Sequence, residues 1–175
     1  MVYRHDSTGG FFSGDAEAQS VNAGQDPTAV QKFSRLSELV DLRGADGRFH
    51  FKLVYPAVDI SNEWQQTSNP LTTSEAVEGY EAVEINATEQ YWGGLAKSSS
   101  GATFIDGSIG HGNWFYAIGS NAAHGGGIPG PNATVVTEVE LYACGQPLAA
   151  LPEPEPEPQV VCEQEWVMVY RHDST

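Results

Sequence analysis

Basic residues are scarce in this chain. Eight Lys and Arg stand against 23 Asp and Glu, a formal net charge of −15 over 175 residues. Binders of nucleic acid carry basic patches, so this balance argues against that class of partner. It favours solubility and resists non-specific sticking. Long apolar runs are also missing. No stretch approaches the roughly 20 residues that span a bilayer, so no membrane span is expected in this fragment. Catalytic signatures are lacking as well: there is no Gly-x-Ser-x-Gly elbow, no phosphate-binding glycine loop and no histidine pair at metal-ligand spacing. His5, His50, His111 and His124 are scattered, and His50, alternating within a strand pattern, is expected to face outward. Glu78, Glu81 and Glu84 read as solvated surface. The chain is therefore not read as an enzyme, and neither metal nor cofactor is expected.

Cysteine is limited to two positions, Cys144 and Cys162. Both stand at the margins of the apolar-rich body, where a structural bridge sits rather than a nucleophile. Flanking cysteines imply an oxidising compartment. Two pairings compete with a pair of unlinked thiols. Cys144 with Cys162 closes a local loop, whereas Cys162 with the equivalent of Cys144 in a following copy clasps a whole domain. The second is favoured, because the intervening segment alternates Pro152, Pro154, Pro156 and Pro158 with glutamates. That composition forms a stiff polyproline II rod of about 3.1 Å per residue, which resists folding back.

The chain does contain one exact duplication. Met1-Val2-Tyr3-Arg4-His5-Asp6-Ser7-Thr8 recurs unchanged 167 positions later, as Met168 to Thr175. Self-similarity at a fixed period marks an array. A period of 167 residues suits one independently folding domain of about 100–200 residues, unlike the shorter repeats of solenoids. On this reading Met1 is an internal residue, and any signal peptide lies outside the fragment. The expected organisation is a domain over residues 1–144, an extended Pro/Glu-rich linker over 145–162, and the start of the next repeat over 163–175.

Within the body, strand-like segments dominate. Arg48 to Tyr55 and Glu81 to Ile85 alternate in period two, and Thr134 to Ala143 is β-branched and long. Met1 to Arg4, Glu63 to Thr67, Ala102 to Ile105 and Asn113 to Ile118 are shorter strand candidates, with a turn at Asp106-Gly107. One short peripheral helix is expected at about 34–42, with Ser34 as N-cap and Leu36, Leu39, Val40 and Leu42 as its apolar stripe. Short strands among 19 glycines predict a mainly β chain, a jelly-roll-like β-sandwich.

The run Thr137-Glu138-Val139-Glu140-Leu141-Tyr142-Ala143-Cys144 resembles the closing strand of discoidin-type, galactose-binding-like domains, which end in a similar Val-Glu-Leu-Tyr-Gly-Cys sequence. The resemblance implies a jelly-roll sandwich with a disulfide joining the first and last strands. It covers about eight residues and a cysteine placement, and it transfers no binding site.

Two sequons, Asn86-Ala87-Thr88 and Asn132-Ala133-Thr134, allow N-glycosylation along a secretory route. The densest segment runs from Tyr91-Trp92 to Trp114-Phe115-Tyr116, where aromatics alternate with Gly, Asn, Asp and His. Sugar sites use that mixture, a flat ring against the pyranose and polar groups on its hydroxyls. Asp106, His111, Asn113 and Trp114 are the candidate contacts, against a plainer reading of the aromatics as core and a calcium site on Asp106. The expected protein is a repeat unit of an extracellular filament or surface appendage. Its partners are identical repeats and its sugars are attached glycans. The alternative is a tandem lectin-like adhesin that holds glycans on another surface.

Overall fold

A computed structural model describes residues 1–73 and 77–144. The expected linker with Pro152, Pro154, Pro156 and Pro158, Cys162 with both its pairings, and the second octamer lie outside the described residues. In chain order the strands are β1 (Tyr3–Asp6), β2 (Lys32–Ser34), β3 (Phe49–Tyr55), β4 (Ile60–Gln66) and β5 (Glu81–Ile85). There follow β6 (Trp92–Lys97), β7 (Ile105–Ser108), β8 (Ile128–Pro129), β9 (Val135–Val136) and β10 (Glu138–Cys144).

Six strands form one antiparallel sheet in the order β2-β1-β10-β3-β4-β5. The fold is mainly β, and this sheet is open rather than closed into a barrel. Period-two alternation decides its two faces. Tyr3 and His5, Val139 and Leu141, Phe49, Phe51, Leu53 and Tyr55, and Trp64 are all buried on the inner face. Each such large apolar side chain contributes about 1.5–3 kcal/mol on burial. The outer face carries ion pairs, Arg4 of β1 with Glu138 of β10 and Arg48, just before β3, with Glu81 of β5. His50 also takes the outer-face parity, but it is buried, with Nε2 3.2 Å from Asp46 Oδ2. Strand parity alone does not report what surrounds a side chain, and here Asp46 is hydrogen-bonded at the edge of the ring.

The second layer is irregular. β6 and β7 pair with each other, Ile118 bridges to Ile105, Ala117 N–H donates to Pro129 O of β8 (2.9 Å), and β8 pairs with β9. Aromatic rings join the two layers: Trp64 meets Trp92 edge-on at 4.8 Å between centroids, and Trp92 leans on Tyr116 at 5.0 Å. The expected strand over Asn113 to Ile118 is reduced to that single bridge, because Tyr116 takes φ +55 and breaks the extended run. The expected turn at Asp106-Gly107 is instead the middle of β7. Gly107 belongs there because a Cβ would stand 2.6 Å from the Trp92 ring. The long final strand divides into β9 and β10.

The expected helix is a 3-10 helix over Leu36–Leu42, its cap at Arg35 rather than Ser34. Three residues per turn align Leu36, Leu39 and Leu42, so the first two are fully buried while Val40 is 60% exposed. Ser34 lies in β2, where its hydroxyl donates to Ala18 O (2.6 Å). A short α1 (Asp15–Gln19), without a strong sequence signal, sits beside β2 through the Glu17–Lys32 ion pair. β5 is an exposed edge strand despite its alternation, bearing Glu81 and Glu84 on an edge that charge protects from further pairing.

Candidate functional site

Two buried amides on the inner face of β4 position the second layer. Gln66 Oε1 accepts from Trp64 Nε1 (2.9 Å) and Leu95 N–H (3.0 Å), while its Nε2 donates to Leu95 O and Ser68 O, both at 2.9 Å. The amide thus pairs with both backbone groups of Leu95 as a neighbouring strand would. It does so where the register of β6 and β7 shifts and leaves Leu95 out of their ladder. Asn62 does the same for the segment after β5: its Oδ1 accepts from Asn86 N–H (3.1 Å) and Ala87 N–H (3.0 Å), and its Nδ2 donates to Ala87 O (2.8 Å). Buried polar groups stay in a core only when they are satisfied in this way.

Held so, β6 and β7 frame a polar pocket of about 290 Å³. Lys97 from β6, Ser99 beyond it, Asp106 and Ser108 from β7, and His111 from the following loop line it. Asp106 Oδ1 accepts from Ser108 N–H (3.2 Å) and lies 3.3 Å from Ser108 Oγ. Burial pushes the Asp106 carboxyl upward in pKa, against the opposing hydrogen bonds of Ser98 and Ser108. His111 Nδ1 accepts from Asn113 N–H (3.2 Å), which leaves the ring proton on Nε2. The imidazole stacks on Tyr91, centroids 4.2 Å apart and planes within 15°. Tyr91 is 61% exposed, and both it and Gln90 hold positive φ. Two successive non-glycine residues in that region are costly and mark a loop constrained by its surroundings.

The four candidates from the sequence separate here. Asp106 and His111 share the pocket. Asn113 acts through its backbone, donating to His111 and accepting from Ser108 Oγ. Trp114 does not line the pocket: it packs against the core and meets His124 edge-on at 5.3 Å. Lys97, Ser99, Ser108 and Tyr91 were missed. Gly93-Gly94 concealed the strand that carries Lys97, and the misread Asp106-Gly107 turn concealed Ser108.

The arrangement offers an ammonium, a carboxyl, hydroxyls and an imidazole N–H within one concavity, beside an exposed aromatic ring. Such a set has the donors and acceptors to hydrogen-bond a polyhydroxylated ligand. It does not suit calcium, which takes six to eight oxygen ligands, because Asp106 is the one carboxylate among the lining residues. Among the described residues no three His, Cys, Asp or Glu side chains gather as metal ligands.

The remaining candidates are placed at the surface. Asn86 and Asn132 are both exposed. Asn86 Nδ2 donates to Ser61 O (2.9 Å), and Asn132 sits at φ +52 in the turn Pro131–Ala133. Cys144 is exposed at the end of β10, opposite His50, and so is not a buried thiol. Among the described residues no helix is long and apolar enough to cross a membrane. No protein-family model matches the chain, and neither does any curated protein or solved structure.

Proposed function

We propose that this chain carries one period of an extracellular tandem-repeat structural protein, a β-sandwich bead of a filament or surface appendage. The recurrence of Met1–Thr8 as Met168–Thr175 carries the reading. In the first copy that octamer contains β1, an interior strand between β2 and β10 with Tyr3 and His5 fully buried. An interior strand is part of a folding unit and not a tag, so its recurrence marks the beginning of a second unit of the same kind. The exposure of Asn86 and Asn132 supports a glycosylated surface. The alternating Pro152 to Pro158 segment supports a spacer that sets the distance between beads. The partners are further copies of the bead.

Intact mass of the native material tests this. A chain of several periods, with excess mass removed by an N-glycosidase, is the expected result. A single unmodified species of 18.8 kDa overturns both the tandem and the glycan parts.

The pocket around Asp106 favours a second reading, a lectin-like adhesin in which many weak sites add to avidity. Binding of the chain to immobilised glycans, lost in Asp106→Asn and His111→Ala, supports it. A chain that binds no glycan leaves the structural reading alone.

A further inference from the structure

β1 is held along both edges. On one side Tyr3 to Asp6 pair with Leu141 to Glu138, and on the other Tyr3 to His5 pair with Ser34 to Lys32. The slot extends beyond the ladder: Val2 N–H donates to Leu141 O (2.8 Å), Asp6 N–H to Gln31 O (2.7 Å) and Ser7 N–H to Thr137 O (2.8 Å). Its side-chain contacts are equally specific. Tyr3 is fully buried, its hydroxyl accepting from Gly119 N–H (2.8 Å). His5 is fully buried against Phe12, and Arg4 pairs with Glu138.

None of these contacts distinguishes Met1–Thr8 from Met168–Thr175, because the two octamers are identical. The chain therefore carries twice the sequence that forms this interior strand in its first copy. The antiparallel pairing of β1 with β10 brings the entrance of the slot beside the exit of the sheet, Val2 against Leu141. Twenty-three residues, 145–167, separate Cys144 from Met168. At about 3.3 Å per residue their extended reach is roughly 75 Å, far more than the approach to the slot requires.

We propose that Met168–Thr175 is an alternative β1, able to enter the slot between β10 and β2 of its own chain in place of Met1–Thr8. A bead then closes with the octamer that precedes it or with the one that follows it. In a tandem array the strand between two beads fits both, and exchange between them couples neighbours without any new contact surface. Domain swapping uses the same economy, an identical element serving either of two equivalent sites.

The test compares Tyr3→Ala, Tyr170→Ala and the double substitution in the 175-residue chain, by urea unfolding and by hydrogen exchange read on peptides. Each single variant is expected to keep the midpoint of the unsubstituted chain, and the double variant to lose it sharply. In Tyr3→Ala the peptide spanning residues 168–175 gains protection while that spanning 1–8 loses it. A Tyr3→Ala variant that falls as far as the double variant overturns the proposal. So does one that keeps its midpoint with no protection on 168–175. A Tyr3→Ala chain that regains stability only as a concentration-dependent oligomer overturns occupancy within the same chain.

Discussion

Replacing Gln66 with methionine keeps the length of the side chain and removes every hydrogen bond its amide makes. Ser68 Oγ keeps Glu78 N–H, but four partners are then left unpaired inside the core: Trp64 Nε1–H, Leu95 N–H, Leu95 C=O and Ser68 C=O. Gln66 itself is fully buried, so water does not replace the amide directly. Leaving a buried donor or acceptor unpaired costs about 1–3 kcal/mol. At about 1 kcal/mol each, four groups give a loss of roughly 4 kcal/mol. That is a large part of the roughly 5–15 kcal/mol that holds a domain together. With a urea slope of about 2 kcal/mol per molar, the midpoint falls by about 2 M. Equilibrium unfolding followed by tryptophan fluorescence measures it, and Trp64 reports on the lost bond directly. A loss under 1 kcal/mol at unchanged slope would refute the idea that Gln66 serves as the missing strand partner of Leu95.

Acid weakens the fold through His5. Burial pushes its pKa down, with Lys32 adding to the shift against the hydrogen bond to Gly10 O. The unfolded chain takes up a proton below about pH 6.5 that the folded chain refuses, so stability is full above that value and is lost as pH falls through the folded pKa. Urea midpoints from pH 7.5 to 5 check this, and a flat profile sinks it. Asp106→Asn moves stability the other way, because burial penalises the ionised carboxyl. The variant is expected to be more stable at pH 7, with the gain vanishing as pH falls towards 4, and a destabilised variant at pH 7 contradicts the assignment. Gly107→Ala forces a methyl against the Trp92 ring and is expected to cost about 1–3 kcal/mol. A matching change in near-ultraviolet circular dichroism should accompany it, and an unchanged midpoint would show that the ring moves freely.

The sheet was legible in the sequence where one face is buried and the other solvated. β3 alternates Phe49, Phe51, Leu53 and Tyr55 with other residues and matches the expected strand; the span of β5 also matches, although that edge strand is exposed on both faces. The helix was placed but its type was not. Leu36, Leu39 and Leu42 satisfy a period of three as readily as 3.6, and only packing decides between them. Half the pocket was legible, because Asp106 and His111 are polar residues in an aromatic setting. The other half depends on β6, whose Leu95 is held by a side chain 29 residues earlier in the chain. Local pattern carries no trace of that bond. Nor does it disclose that Tyr116 turns through a positive φ and interrupts an otherwise strand-like run.

The pairing of β1 with β10 also fixes how this domain answers a pull along the chain. Tyr3 lies opposite Leu141, so Met1 and Cys144 leave the sheet at the same end. Tension applied through those two points opens the strands like a zipper, one hydrogen-bonded pair after another, instead of shearing a whole row at once. On the proposed tandem reading, beads strung this way would yield at low force and extend a loaded fibre in steps, each bead releasing a stored length of chain. A covalent tie at Cys144 would stand where that opening begins.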